Sequence, residues 1–162
     1  PLRPSDHYER WKMRNWMHRF EAVFHKNINT ISFVKQNRIK RYEAFSEDEL
    51  LNFLSHQVNA ERRASYEKRI RNGVSATEMV FAEDRIAEVV DEMNIALEGK
   101  SFLNGDRVSL ADISVAPFIE RLEANALDQL TDWTKRPHLG SWWSKMQELP
   151  SYKKAFDFTM PN

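Results

Sequence analysis

Cysteine is absent from this 162-residue chain, which removes a disulfide framework, a thiol nucleophile and any thiolate metal site. Glycine occurs 4 times and proline 6 times, too sparsely for a sheet-and-turn architecture or a low-complexity linker. Neither sign of charge is in excess. Lys+Arg and Asp+Glu both number 24, so the global field that draws proteins to nucleic acid or to anionic membranes is missing, and neither partner is expected. No apolar run approaches the roughly 18 residues of a membrane span. No signal peptide is expected either, because Pro1-Leu2-Arg3-Pro4 leads straight into charged residues. A first residue of Pro instead of Met fits a fragment or a processed chain. The chain has no Gly-x-Ser-x-Gly elbow, phosphate-binding loop or dinucleotide fingerprint.

What remains is apolar content of 41%, enough for one core, and an abundance of helix formers. Residues 1–4 read as a linker and 5–162 as one helical domain. Ser5 is placed to cap a long helix, with Asp6 at the positive end of its dipole. Met13, Trp16, Met17, Phe20, Phe24, Ile28 and Ile31 recur at spacings of three and four and predict one apolar stripe. It runs to about Val34, giving a helix roughly 45 Å long. Residues 35–74 form a charged insertion. Within it, Ser46 and Glu49 make a capping-box pattern before Leu50, Leu51, Phe53 and Leu54. A polar, partly helical connection then ends at Asn72-Gly73.

Ser75 or Thr77 caps the next helix, which carries Met79, Ala82, Ile86, Val89, Val90, Met93 and Leu97 and stops at Gly99. Asn104-Gly105-Asp106 is a turn. Ser109 and Asp112 form a second box, stapled by Val108 and Ile113, that opens a helix interrupted by Pro117. Pro137 opens a helix bearing Trp142, Trp143 and Met146. Pro150 ends it, and a short helix follows to Phe156. The expected fold is an all-α bundle of five to six helices with the charged insertion.

Three ordered stretches carry a family resemblance. Phe102-Leu103-Asn104-Gly105-Asp106-Arg107-Val108-Ser109-Leu110-Ala111-Asp112 resembles the signature joining two core helices in the C-terminal domain of glutathione S-transferases. Arg136-Pro137-His138-Leu139 with Trp143 and Met146 resembles a later helix of that domain, and Leu2 to Asp6 with Trp16 resembles its linker and first helix. Within the family, Leu2 to Trp16 and the long insertion look most like bacterial β-aryl etherases. There is similarity to tetrachlorohydroquinone dehalogenases as well, whose chains end near a motif such as Met160-Pro161-Asn162.

The resemblance implies a cytoplasmic, homodimeric detoxification enzyme that joins glutathione to a hydrophobic, aromatic electrophile, by ether cleavage or dehalogenation. It also implies that a thioredoxin-like domain ahead of Pro1 holds glutathione and supplies the group that stabilises its thiolate. No catalytic residue is therefore expected in this chain. By the same resemblance, Trp16, Phe20, Phe24, His25 and Ile28 on the first helix line the electrophile pocket. The stripe equally suits core packing. Arg121 points toward an anionic substrate group or pairs within the bundle. Related helical domains in translation factors and aminoacyl-tRNA synthetase complexes catalyse nothing, which leaves a protein-interaction module as the alternative.

Two further clusters have a bland reading. His18, Glu21 and His25 share a helix face, but no second Glu-x-x-His exists to complete a metal site, and no metal is expected. Arg62, Arg63, Lys68, Arg69 and Arg71 surround Tyr66 in a pattern conceivable for nucleic acid. Interleaved Glu61 and Glu67 favour a solvated face or hinge, or a cover over the pocket mouth. The acidic runs Glu47-Asp48-Glu49 and Asp91-Glu92 read as solvated faces.

Overall fold

The computed structural model describes residues 2–36 and 38–157, and the Met160-Pro161-Asn162 motif lies outside them. The first long helix is continuous but not uniform. It comprises α1 (His7–Arg19), a π-helical segment (Phe20–His25) and α2 (Lys26–Lys35). The N-cap is Asp6, not Ser5: its Oδ1 accepts the N–H of Glu9 at 2.9 Å. A carboxylate there also complements the helix dipole, which a Ser5 hydroxyl would not.

The π-helical turn follows from the apolar spacing. Trp16, Phe20, Phe24 and Ile28 step by four residues three times running. On an ideal α-helix each such step drifts about 40°, so the stripe would rotate about 120° away from the core. A wider turn takes up that drift. Phe20, Phe24, Ile28 and Ile31 all reach zero exposure as a result.

The charged insertion holds three helices: α3 (Arg38–Glu43), α4 (Glu47–Ser55) and α5 (Ala60–Asn72). The polar connection before Gly73 is thus a full helix, capped by Asn59, whose Oδ1 accepts the N–H of Arg62 at 2.8 Å. Gly73 ends it at φ +72°, a conformation that suits glycine. The capping box at Ser46 and Glu49 forms. A small aromatic cluster ties the three helices together. Tyr42, Phe45, Phe53 and Tyr66 meet at centroid distances between 5.1 and 6.2 Å, and Phe33 of α2 stacks on Tyr42.

Next come α6 (Ala76–Ala96), α7 (Leu110–Ala124), α8 (Asp128–Thr131), α9 (Pro137–Glu148) and α10 (Pro150–Phe156). Of the two candidates, Ser75 caps α6, in a box with Glu78. The all-α fold stands as expected, divided more finely than five or six helices. The long first helix packs on α6 and α7, and α9 closes the core with Trp142 and Trp143. The acidic pair on α6 tethers helices instead of merely facing solvent. Glu92 accepts two bonds from Arg19 at 2.9 and 2.6 Å, and Asp91 accepts from Arg136 at 2.6 Å. One turn on, Asn94 Oδ1 accepts the N–H groups of His138 and Leu139. It thereby caps α9, whose own N-cap position, Arg136, provides no side-chain acceptor.

The box at Ser109 and Asp112 forms and reaches further than a helix cap. Asp112 has no solvent exposure. Its Oδ2 accepts the Ser109 N–H and hydroxyl at 2.8 and 2.7 Å, and its Oδ1 accepts the Leu103 N–H and the Trp142 indole N–H, both at 2.9 Å. Four donors and a helix N-terminus make a buried carboxylate tolerable. The carboxylate fastens the turn before α7 and the indole of α9 to one point. Asp112→Ala should leave three buried N–H donors without partners and lower unfolding stability by about 4 kcal/mol, measured by urea denaturation. A loss under about 1 kcal/mol would show that this cluster carries no more than a surface cap.

Candidate functional site

Two concavities differ in chemistry. One, of about 650 Å³, is almost wholly apolar and lies between α7, α9 and α10, with Leu2, Ile113, Pro117, Met146 and Phe156 in its walls. Its one phenol, Tyr152, hydrogen-bonds Glu120 and is pushed above its usual range by burial and by that carboxylate. The other, of about 610 Å³, opens between the C-terminal half of the long helix, α5 and the end of α7. That volume is in the range of small-molecule sites, and this cavity combines aromatic walls with charge.

The long helix contributes Glu21, His25, Lys26, Asn29 and Phe33 to the second cavity, α5 contributes Glu61, Arg62, Ser65, Tyr66 and Arg69, and α7 contributes Arg121. His25 Nδ1 lies 2.9 Å from Glu21 Oε1, one turn back on the same helix. This pairing is local, and among the described residues no group of three metal-ligating side chains converges. Arg121 Nε donates to Ser32 Oγ at 2.9 Å, and Asn125 Nδ2 donates to the same hydroxyl at 3.0 Å. Ser32 is fully buried, so this bond holds the Arg121 stem against α2 at the cavity wall.

Six residues were expected to line a pocket, and the structure divides them. His25 and Arg121 do line the charged cavity. Phe20, Phe24 and Ile28 are corrected to core: each has zero exposure, and the two rings stack 5.0 Å apart and meet Phe118 of α7 at 5.8 and 5.6 Å. The physical reason is the π-helical turn, which directs all three at α6 and α7. Trp16 is half-buried, tilted 6.3 Å from Phe20, and lies outside this cavity.

The basic cluster of α5 is divided too. Lys68 pairs with Glu78, and Arg71 pairs with Glu47 and Glu67. The Lys68 ammonium, followed by the Ser75 N–H and hydroxyl, holds the Glu78 carboxyl down at about 2. Arg63 Nε donates to the Leu54 carbonyl. Arg62, Tyr66 and Arg69 instead face the cavity. They stand at i, i+4 and i+7, a single helix face, which is the signal that could have separated them from the solvated arginines. The Arg62 guanidinium sits 5.7 Å from the Tyr66 ring centre, and that of Arg69 6.0 Å from the Phe33 ring. Arg69 Nη2 also donates to Thr30 Oγ1 at 2.8 Å. Burial pulls the Arg69 guanidinium below the usual arginine range.

Chemically, the cavity can hold a planar apolar body against Tyr66 and present positive charge to it. It offers no thiol, since the chain has no cysteine.

A sequence profile described as the glutathione S-transferase C-terminal domain matches residues 58–150. The chain is 32% identical over 75 residues to glutathione S-transferase TCHQD of Arabidopsis thaliana, covering 46% of this chain and 27% of that protein. It is 33% identical over 85 residues to glutathione S-transferase F10 of the same plant, covering 51% and 39%. The matched part thus spans well under half the length of these relatives. Among solved structures, the β-etherase LigF of Sphingobium sp. strain SYK-6 superposes with a TM-score of 0.79 at 22% identity, over 96% of this chain and 65% of that one. A glutathione transferase of Burkholderia graminis, solved with two glutathione molecules per subunit, superposes with a TM-score of 0.64 at 15% identity, over 96% and 52%.

The outer wall of the cavity depends on the aromatic cluster of the insertion, apart from the main core. Phe53→Ala should cost about 2 kcal/mol locally. Hydrogen exchange in α4 and α5 should accelerate roughly 30-fold, while α6, α7 and α9 keep their protection. Uniform acceleration across all helices would show that the insertion and the core unfold as one unit.

Proposed function

The chain belongs to the glutathione S-transferase C-terminal domain family, and on that premise we propose that it forms the electrophile-binding half of a glutathione transferase acting on an aromatic substrate. The observation that carries the reading is the cavity walled by Phe33 and Tyr66 and edged by His25 and Arg121. Residues 1–4 are the linker in this reading. The apolar concavity at Leu2, Ile113 and Phe156 is the face covered by a preceding thioredoxin-like domain. Among the described residues none offers a strand edge to a tripeptide, so we place glutathione's contacts on that other domain.

Glutathione supplies a thiolate nucleophile. The helical half contributes orientation and water exclusion. The Tyr66 ring packs against the aryl group, and the arginines of the cavity favour negative charge developing on a departing phenolate or halide. In ether cleavage a carbon–sulfur bond forms as the carbon–oxygen bond breaks, and the phenolate keeps the electron pair. Dehalogenation follows the same balance with halide leaving. Ether cleavage is our choice between them, supported by the fold likeness to a β-etherase.

A homodimer and a cytoplasmic setting, where the glutathione pool resides, belong to the same proposal. The described helices include none long and apolar enough to cross a membrane. Tyr8 and Trp11, both more than half exposed and stacked 5.8 Å apart, supply apolar surface for the contact between copies. Trp11→Lys should convert the protein to a monomer in analytical ultracentrifugation; a variant that sediments as the native protein does removes Trp11 from the interface.

The main test uses the full-length protein, a β-aryl ether and 1-chloro-2,4-dinitrobenzene. Glutathione-dependent release of phenol or chloride is expected. A full-length protein that neither binds immobilised glutathione nor consumes either compound would be a non-catalytic interaction module.

A further inference from the structure

The positive charge in the cavity exceeds what the proposed transferase reaction on a neutral aromatic compound requires. Lys26, Arg62 and Arg69 stand in its wall beside two carboxylates, Glu21 and Glu61, and Glu21 lies against His25. Arg62 and Arg69 form an ion pair with none of the described carboxylates, although Lys68 and Arg71 on the opposite face of α5 are paired. Of these two, Arg69 is half-buried against α2 and Arg62 is exposed at the cavity edge. Each lies against an aromatic ring, Tyr66 or Phe33, and the Thr30 hydroxyl that Arg69 touches is a neutral partner. The half-buried Arg69 guanidinium feels the Glu78 carboxylate, which Lys68 already pairs, without bonding it, and so gains from an anion brought into the same low-dielectric space.

We propose that the cavity between α2, α5 and α7 is a subsite for an aromatic carboxylate, with the carboxylate held by Arg62 and Arg69 and the ring against Tyr66. This rests on the transferase reading for the rest of the substrate, whose electrophilic carbon would lie beyond this anionic end. The guanidinium fork matches a carboxylate in two parallel hydrogen bonds. The volume of about 610 Å³ suits a fused aromatic acid better than a small inorganic ion. The two glutamates in the wall repel an extended polyanion, so a single carboxylate fits where a nucleic-acid backbone would not. The insertion that carries Arg62 and Arg69 thereby selects among aromatic electrophiles.

The test is binding of 2-naphthoate to the full-length protein, compared with 2-naphthylmethanol, which has the same ring without the charge, by calorimetry at two ionic strengths. Naphthoate should bind at least about tenfold tighter, with the advantage shrinking in salt. Arg69→Gln should erase that advantage, bringing naphthoate to the affinity of naphthylmethanol for the same variant, while Arg69→Lys should keep part of it. Arg62→Gln, an exposed position whose change leaves the core untouched, should weaken naphthoate about threefold or more. Equal affinity for the acid and the alcohol overturns the subsite, as does naphthoate binding indifferent to both glutamine variants. Because binding is read apart from turnover, the outcomes separate. Charge-selective binding without glutathione chemistry leaves the subsite and removes the transferase reading. Turnover of a neutral aryl ether without charge selectivity does the reverse.

Discussion

A carboxylate with no access to water has to be surrounded by donors, and Asp112 is surrounded by groups from three separate parts of the chain. Satisfying it requires that the turn at Leu103, the start of α7 and the indole of Trp142 arrive together. The direction of α7 is set there. The rest of that helix follows from its direction: Phe118 meets the rings of the long helix, and Arg121, about two and a half turns beyond Asp112, reaches Ser32 and the charged cavity. The local motif that identifies the domain is also the fixture from which the site is aligned.

The long helix and the insertion are joined by less. Phe33 stacking on Tyr42 and Arg69 bonding Thr30 are contacts across that junction, and the aromatic cluster beyond them is small. One wall of the cavity therefore stands on a tightly packed core and the other on a nearly separate group of short helices. Such a division lets substrate selection change through α5 with little effect on the buried stripe of Phe20, Phe24 and Ile28.

Much of the fold was legible because its signals are local. Ser46, Ser75 and Ser109 each announce a helix within four residues, and Pro137 and Gly73 mark a start and a stop. The apolar stripe was legible as a stripe. Its phase was not, because spacing alone does not show that a wider turn at Phe20–His25 keeps three aromatic or aliphatic side chains inside. Hence three of the six expected pocket residues turned out to be core. Charge misled in the opposite direction. Arginines near glutamates read as solvated, which holds for Arg71 and fails for Arg69, and the face that Arg69 shares with Tyr66 is the signal that separates them. At Asp91 and Glu92 the sequence shows two acids, while their partners Arg136 and Arg19 lie far along the chain.

The start of α9 is written on another helix. Asn94 accepts the first free N–H groups of α9 across 44 residues of chain, and Pro137 at the N-terminus contributes no donor of its own. A peptide corresponding to α9 alone lacks its cap and has little reason to hold a helix. The start of α9 therefore depends on α6 standing beside it.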